Sequence, residues 1–252
     1  MKLRVDTHSH TIASTHAYST VHDYIAHAKL NGIELFCITD HAPPMQDAPH
    51  WWHFGNMAVI PHIVDDIAIL RGIEANIQAP DVGLALPENL KPRLDLVIAS
   101  FHEPVFAPQS EAINTDAMLA AITSGECQIL GHPGNPNYPI DQEAVVLAAK
   151  THNVAIEINN SSFAHSRVGS KPNCLSLLKL AKKHDACISV SSDAHIAFDL
   201  GRFDHSLAAI SEVGFPIERI VTRTPKTFLT FLADHGRPLS DELRAWAVHH
   251  DQ

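Results

Sequence analysis

Positive charge is scarce in this sequence: 18 Lys plus Arg stand against 28 Asp plus Glu, a formal charge of −10 with histidine counted neutral. A surface of that sign repels phosphate backbones and anionic lipid, which argues against a general nucleic-acid or membrane-surface binder. Cysteine is scarce too. Cys37, Cys127, Cys174 and Cys187 show no C-x-x-C spacing, and Cys37 and Cys187 lie in or beside apolar strand-like runs. Buried free thiols are therefore expected, not disulfides. No apolar run reaches the roughly 20 residues that cross a bilayer, and Met1–Asp6 has no hydrophobic signal region, so a soluble cytoplasmic protein is expected. Three catalytic signatures are missing as well: the G-x-S-x-G elbow, the G-x-x-x-x-G-K-[ST] phosphate loop and the G-x-G-x-x-G nucleotide fingerprint.

What remains is an ordinary globular composition, 252 residues of which 45% are apolar and 18% charged, enough for one sizeable core. Short apolar runs alternate with amphipathic segments along the chain. Strands are expected at Leu3–Asp6, Leu35–Thr39, Ala68–Gly72, Leu94–Ala99, Ile129–Leu130, Ala155–Ile158 and Ile188–Val190. Their near-continuous apolar character suits parallel strands covered on both faces. Helices are expected at Val21–Leu30, Thr115–Thr123, Gln142–Thr151, Cys174–His184, Pro225–Asp234 and Asp241–His249. Thr20 with Asp23 makes a capping-box-like start for the first of these, and Pro225 sits at the first position of another. Repeated β–α units without a long polar linker imply one parallel sheet, closed or nearly so, in a single domain spanning 1–252 with C-terminal helices from about residue 225.

Histidine is the outlier, 19 residues. Metal-ligand residue types follow almost every expected strand: His8 and His10, with His16 close behind; Asp40 and His41; Glu74; His102; His132; and Asp193 with His195. In β/α barrels catalytic groups come from the carboxyl ends of separate strands, so these side chains converge on one face. Leaving Asp40 aside, the set is seven imidazoles and two carboxylates with no thiolate. That donor set suits Zn, Mn or Fe and disfavours a closed structural zinc site. It is too large for one ion, and if a carboxylate such as Glu74 bridges two ions the set could hold two or three metals. Ions so held would lower the pKa of a bound water, clamp substrate oxygens and offset leaving-group charge. His22, His27, His152, His184, His205, His235, His249 and His250 read as surface or structural residues, whereas His50, His53 and His62 stay open between pocket rim and structure.

Asp6-Thr7-His8-Ser9-His10, Ile38-Thr39-Asp40-His41, Glu74, Gly131-His132-Pro133 and Ser192-Asp193-Ala194-His195 together resemble the motif pattern of the PHP (polymerase and histidinol phosphatase) superfamily. Ala13–Ser19, Phe101–Pro108, His132–Pro136 and Ile156–Phe163 look like the YcdX-like branch of bacterial phosphatases within it. The resemblance implies a distorted (β/α)7 barrel, phosphatase activity, a trinuclear zinc centre at the C-terminal ends of the strands, and an oligomer, a trimer in that branch. It assigns His8, His10, Glu74 and Asp193 to one ion, Glu74, His102 and His132 to a second, and His16, His41 and His195 to a third.

The mechanism expected from these parts is in-line attack on a small phosphate monoester by a metal-bound hydroxide, with Asp193 or Asp40 assisting the leaving alkoxide. Asp40 also reads as a carboxylate that orients a ligand imidazole. Arg167, Lys171 and Arg202 fall on the same face, Arg167 as a phosphate clamp or a surface ion pair. Asn159, Ser161 and Ser162 read as substrate contacts or turn formers, and the Pro43–Trp52 loop as a pocket wall or subunit contact. Competing readings are a phosphodiesterase or nuclease using the same metals, disfavoured by the lack of a basic groove, a binuclear amidohydrolase, and a non-catalytic zinc-binding protein.

Overall fold

The computed structural model describes residues 2–164, 166–237 and 239–250, so Met1, Asp251 and Gln252 at the ends of the expected 1–252 unit lie outside the described residues. Seven strands run parallel in the order β1 (Val5–Asp6), β2 (Leu35–Ile38), β4 (Ile67–Asn76), β5 (Leu96–Ser100), β6 (Ile129–Leu130), β7 (Ala155–Asn159) and β8 (Ile188–Ser191), each beside its chain neighbour. The short β3 (Ile63–Val64) pairs antiparallel with the start of β4. Around this sheet lie α1 (Val21–Asn31), α2 (Trp51–Asn56), α3 (Glu111–Thr123), α4 (Gln142–Thr151), α5 (Ser161–Ala164), α6 (Lys171–His184) and α7 (Asp204–Val213), followed by α8 (Pro225–Asp234) and α9 (Asp241–His249). The architecture is the parallel, nearly closed β/α barrel that the alternating pattern implies.

The capping box at Thr20 and Asp23 is present, and Gly32 ends α1 in the left-handed conformation. Ser110 caps α3, which therefore starts four residues before the expected Thr115. Between β4 and β5 the described residues contain no α-helix, only a 3-10 turn at Lys91–Arg93, which is one distortion of the barrel. Among the described residues no helix is long and apolar enough to cross a membrane. Cys37, Cys127 and Cys174 are buried free thiols and Cys187 is half-buried.

The sheet closes between β8 and β1 in two stages. Near the strand ends Ser9 bridges Ala194, with His10 N donating to Ala194 O at 2.9 Å. The buried Tyr24 hydroxyl sits 2.8 Å from both the His10 and Ala194 carbonyls and pins this seam. Lower down the strands part and the 220–223 segment fills the gap: Val221 N donates to Ile188 O, Val190 N to Thr222 Oγ1, and Arg4 N to Arg223 O. A strand's side chains alternate between faces. Phe36, Ile38, Ile69, Ile73, Val97, Leu130, Ile156 and Val190 accordingly pack outward against the helices, whereas Val5, Leu35, Leu70, Leu96, Ile98 and Ile129 join Phe228, Leu232 and Trp246 from the last two helices. The C-terminal helices thus plug the end of the barrel where the strands begin.

Candidate metal centre

At the opposite end the inward positions turn polar. Glu74 lies within β4, at the inward register two residues past Gly72, because that strand runs to Asn76 and not only to the expected Gly72. A Cβ on Gly72 would come 2.9 Å from Thr39 Cγ2, and one on Gly131 would collide with Ser100, so both interior positions demand glycine for close strand approach. Glu74 is 1% exposed and imidazoles surround it. Its Oε2 is 3.1 Å from His41 Nε2, 3.3 Å from His8 Nε2 and 3.5 Å from His10 Nε2, while Oε1 is 2.9 Å from His132 Nε2 and 3.3 Å from His102 Nε2. Asp193 Oδ1, just past the end of β8, faces two of these nitrogens, 3.3 Å from His10 and 3.6 Å from His8. The His195 ring lies tilted beside His10, centroids 4.3 Å apart, and His16 beside His195 at 4.5 Å. All nine residues singled out by position fall in this one cluster, with His16 at its exposed rim.

Among the described residues no hydrogen-bond partner meets His8 Nε2, His102 Nε2, His195 Nε2 or either ring nitrogen of His10, although all are buried. Buried polar atoms left this way are rare and need an explanation. Four groups of three donors lie close enough to share an ion: His8, His10 and Asp193; His10, His41 and His195; His41, Glu74 and His102; and His16, His41 and Asp47. Nitrogen and carboxylate donors arranged so suit a divalent metal, and the orphaned nitrogens fit one.

The titration behaviour is divided. Burial drives His10 down to about 3, with the His41 and His195 charges adding, and burial with the Arg167 charge takes His132 to about 4. For His41 burial acts downward, but hydrogen bonds to Asp47 and Glu74 outweigh it and raise the ring to about 10. Burial likewise opposes His8, yet the Glu157, Glu74 and Asp193 carboxylates hold it well above the ordinary imidazole value. Burial acts to raise Glu74 and Asp193, and His8 above all keeps both well below the carboxylate range.

Outer residues fix the rings. Glu157, buried in β7, accepts from His8 Nδ1 at 2.7 Å, from the His132 backbone N–H at 2.6 Å and from the Ser191 hydroxyl, which turns His8 Nε2 inward. Asn76 Oδ1 accepts from His102 Nδ1 at 2.8 Å, and the Asn76 amide is itself anchored on Ala42 O. Asp47 accepts from His41 Nδ1 at 2.6 Å and pairs with His16 Nδ1 at 2.9 Å. Such partners set tautomer and orientation of ligand imidazoles. Sequence reading assigned none of these three a role. Glu157 had a signal, a charge inside an apolar strand; Asp47, in a loop, had none.

The remaining candidates are placed as follows. Asp40 is buried and accepts from Thr11 N, the Thr11 and Ser14 hydroxyls and His53 Nε2. Asn159 donates its amide N–H groups to Glu157 and Asp193, and its Oδ1 accepts from Ser162 N. Arg167 donates through both terminal nitrogens to Asp193 Oδ2 at 3.0 Å, and it lines a 390 Å³ cavity over the cluster with His16, His41, His102 and His195. Lys171 is exposed, and Arg202 pairs with Asp199 at 2.9 Å. His50 caps α2 and His62 bonds Asp95. From the Pro43–Trp52 loop, Met45 lines the cavity while Trp52 is 81% exposed. Asp193 and His132 both hold left-handed backbone angles, φ +56° and +32°, a strain of about 1–3 kcal/mol each that functional sites often store.

The PHP domain matches residues 6–213. A protein of Aeromonas hydrophila subsp. hydrophila named "Probable phosphatase" is 53% identical over 237 residues, covering 94% of this chain and 96% of its own. One of the same name from Shewanella loihica is 53% identical over 242 residues, covering 96% and 98%. Among solved structures, histidinol phosphate phosphatase from Lactococcus lactis subsp. lactis, complexed with zinc, L-histidinol and phosphate, superposes with a TM-score of 0.59 at 17% identity over 86% of this chain and 95% of its own, a likeness of fold. With most of the barrel matched and half of the residues shared with its relatives, the chain belongs to the PHP domain family.

Proposed function

We propose that this protein is a phosphatase that hydrolyses small phosphate monoesters at a trinuclear zinc centre, with Mn or Fe as possible substitutes. The observation that carries the reading is the ring of buried imidazole nitrogens without hydrogen-bond partners around Glu74 and Asp193. His8, His10, Glu74 and Asp193 would hold one ion, Glu74, His102 and His132 a second, and His16, His41 and His195 a third. Support for the bridging role of Glu74 is that its two oxygens face different imidazoles, Oε2 toward His8, His10 and His41, Oε1 toward His102 and His132. Ions bound there would polarise the phosphoryl oxygens and make water acidic enough to attack near neutral pH.

The chain's own groups do the rest. Arg167, anchored on Asp193 and lining the cavity, is placed to turn an N–H toward a phosphoryl oxygen. Of the two carboxylates considered for proton movement, Asp193 lines the cavity, whereas the four donors on Asp40 hold it in the loop before His16. Asp193, kept ionised by His8 and Arg167, is therefore the carboxylate placed to take up a proton, and Asp40 positions the loop. Asn159, its polar atoms engaged with Asp193 and Glu157, orients Asp193 and leaves substrate contact to Arg167. Unpaired cysteines and the acidic surface favour a cytoplasmic location, and the resemblance favours a trimer, which light scattering tests.

Elemental analysis of the purified protein, paired with p-nitrophenyl phosphate hydrolysis before and after chelation, tests the function. Trinuclear metal content, with activity lost on chelation and regained on adding zinc, is expected. Activity indifferent to chelation would overturn the reading.

A further inference from the structure

The cavity over the histidines has a neighbour of similar size. A second hollow of 320 Å³ adjoins it, and the two share Ser161, Asp193 and Asp199 in their walls. The new hollow lies over the tops of β7 and β8. Asn160 follows the end of β7 and Ser161 opens α5, Asp199 and Arg202 come from the chain after β8, and Asp204 and His205 from the first turn of α7. Its walls are built, not accidental. Asn160 Oδ1 accepts from the backbone N–H groups of His205 and Ser206, which fastens the first turn of α7 to the strand end. Arg202 is held against Asp199.

The chemistry of the walls selects an occupant. Arg202, Ser161 and the Asn160 amide supply donors, and Asp199 and Asp204 supply acceptors. A run of hydroxyl groups both donates and accepts and so matches such a surface. Among the described residues lining it, Ala164 is the one apolar side chain and His205 the one ring, so an aryl group or a nucleobase meets little apolar wall there. Three aspartates disfavour a second phosphate.

We infer that this hollow is the alcohol subsite of the phosphatase proposed above, and that it takes a small, neutral, polyhydroxylated leaving group of glycerol to sugar size. The inference rests on that phosphatase reading. Hydrolysis breaks the P–O bond to the alcohol, forms a new bond from phosphorus to the oxygen of water, and leaves a proton of that water on the departing alcohol. The phosphoryl group then sits over the histidines and the alcohol across Asp193, in the adjoining hollow.

Ala164 and Asp204 are both exposed, so substituting them leaves the core intact. In the metal-loaded enzyme, Ala164→Leu narrows the hollow and Asp204→Asn weakens its acceptor. Each variant is assayed on glycerol 2-phosphate and ribose 5-phosphate against p-nitrophenyl phosphate, whose aryl group departs through the open mouth. The expected result is a fall of about tenfold in kcat/KM for the polyol esters, carried mainly by KM, with less than a twofold change for the aryl ester. Parallel losses on all three esters, or no loss on any, would overturn the subsite while the phosphatase reading stands. A wild-type enzyme that hydrolyses none of them overturns both.

Discussion

Where the strands begin, the barrel interior is lined by Val5, Leu35, Ala68, Leu96, Ile129 and Ala155 and closed by Phe228, Leu232 and Trp246; where they end, the same inward series continues as Thr39, Glu74, Ser100, Glu157 and Asn159. The two ends share strands, register and near-complete burial, so depth cannot explain their different chemistry. At the apolar end the inward side chains pack by apolar contact. At the polar end burial creates unmet demand: carboxylates and imidazoles crowd within hydrogen-bonding range, and several nitrogens find no partner. A fold tolerates that only when something else supplies the missing interaction. The apolar plug contributes stability, and the polar end spends it.

The sharpest break of this comparison is Glu74→Gln. It removes the charge that faces five imidazoles and is expected to lower kcat/KM by about three orders of magnitude or more, corresponding to several kcal/mol of lost metal assistance. Elemental analysis is expected to show lowered metal content in the same sample. Turnover near wild type would remove the centre from the mechanism. At the other end Phe228→Ala empties a fully buried ring from the plug and is expected to cost about 3–5 kcal/mol in denaturant unfolding. The metal content of the folded fraction is expected to stay unchanged. A loss of metal there would mean that the two ends are not separable.

A smaller effect is expected for Asp47→Ala, which frees His41 and His16 from their common anchor. Metal affinity at the His16, His41 and His195 position should weaken by about 10- to 100-fold, the usual scale for losing an orienting partner, while the inner ions stay bound. Titration with a chelator reads the difference, and uniform release of every ion would contradict it. Least of all, His249→Ala on the exposed face of α9 should change stability by less than about 0.5 kcal/mol and leave activity untouched. A large loss of activity would show that the tail reaches the site.

Histidine number and placement belong to the sequence: each of His8, His41, His102, His132 and His195 follows an apolar run, and parallel strands necessarily deliver their ends to one face. The helices Pro225–Asp234 and Asp241–His249 were legible to the residue because proline and a serine cap mark their starts. The length of β4 was not, since Arg71, Glu74 and Asn76 break its apolar pattern, and those breaks are what the site needs. Nor was α7 legible, because its first turn is capped by Asn160, from the chain that follows β7. Local chemistry decided which residues can bind metal and which segments form strands, because spacing and side-chain type act over a few residues. Only the tertiary structure decided which partners orient them. Glu157, Asn76 and Asp47 act on rings 149, 26 and 6 residues away, Asp40 is drawn off by Thr11 and Ser14, and Arg167 is locked to Asp193, since burial and hydrogen-bond geometry exist only once the barrel has closed.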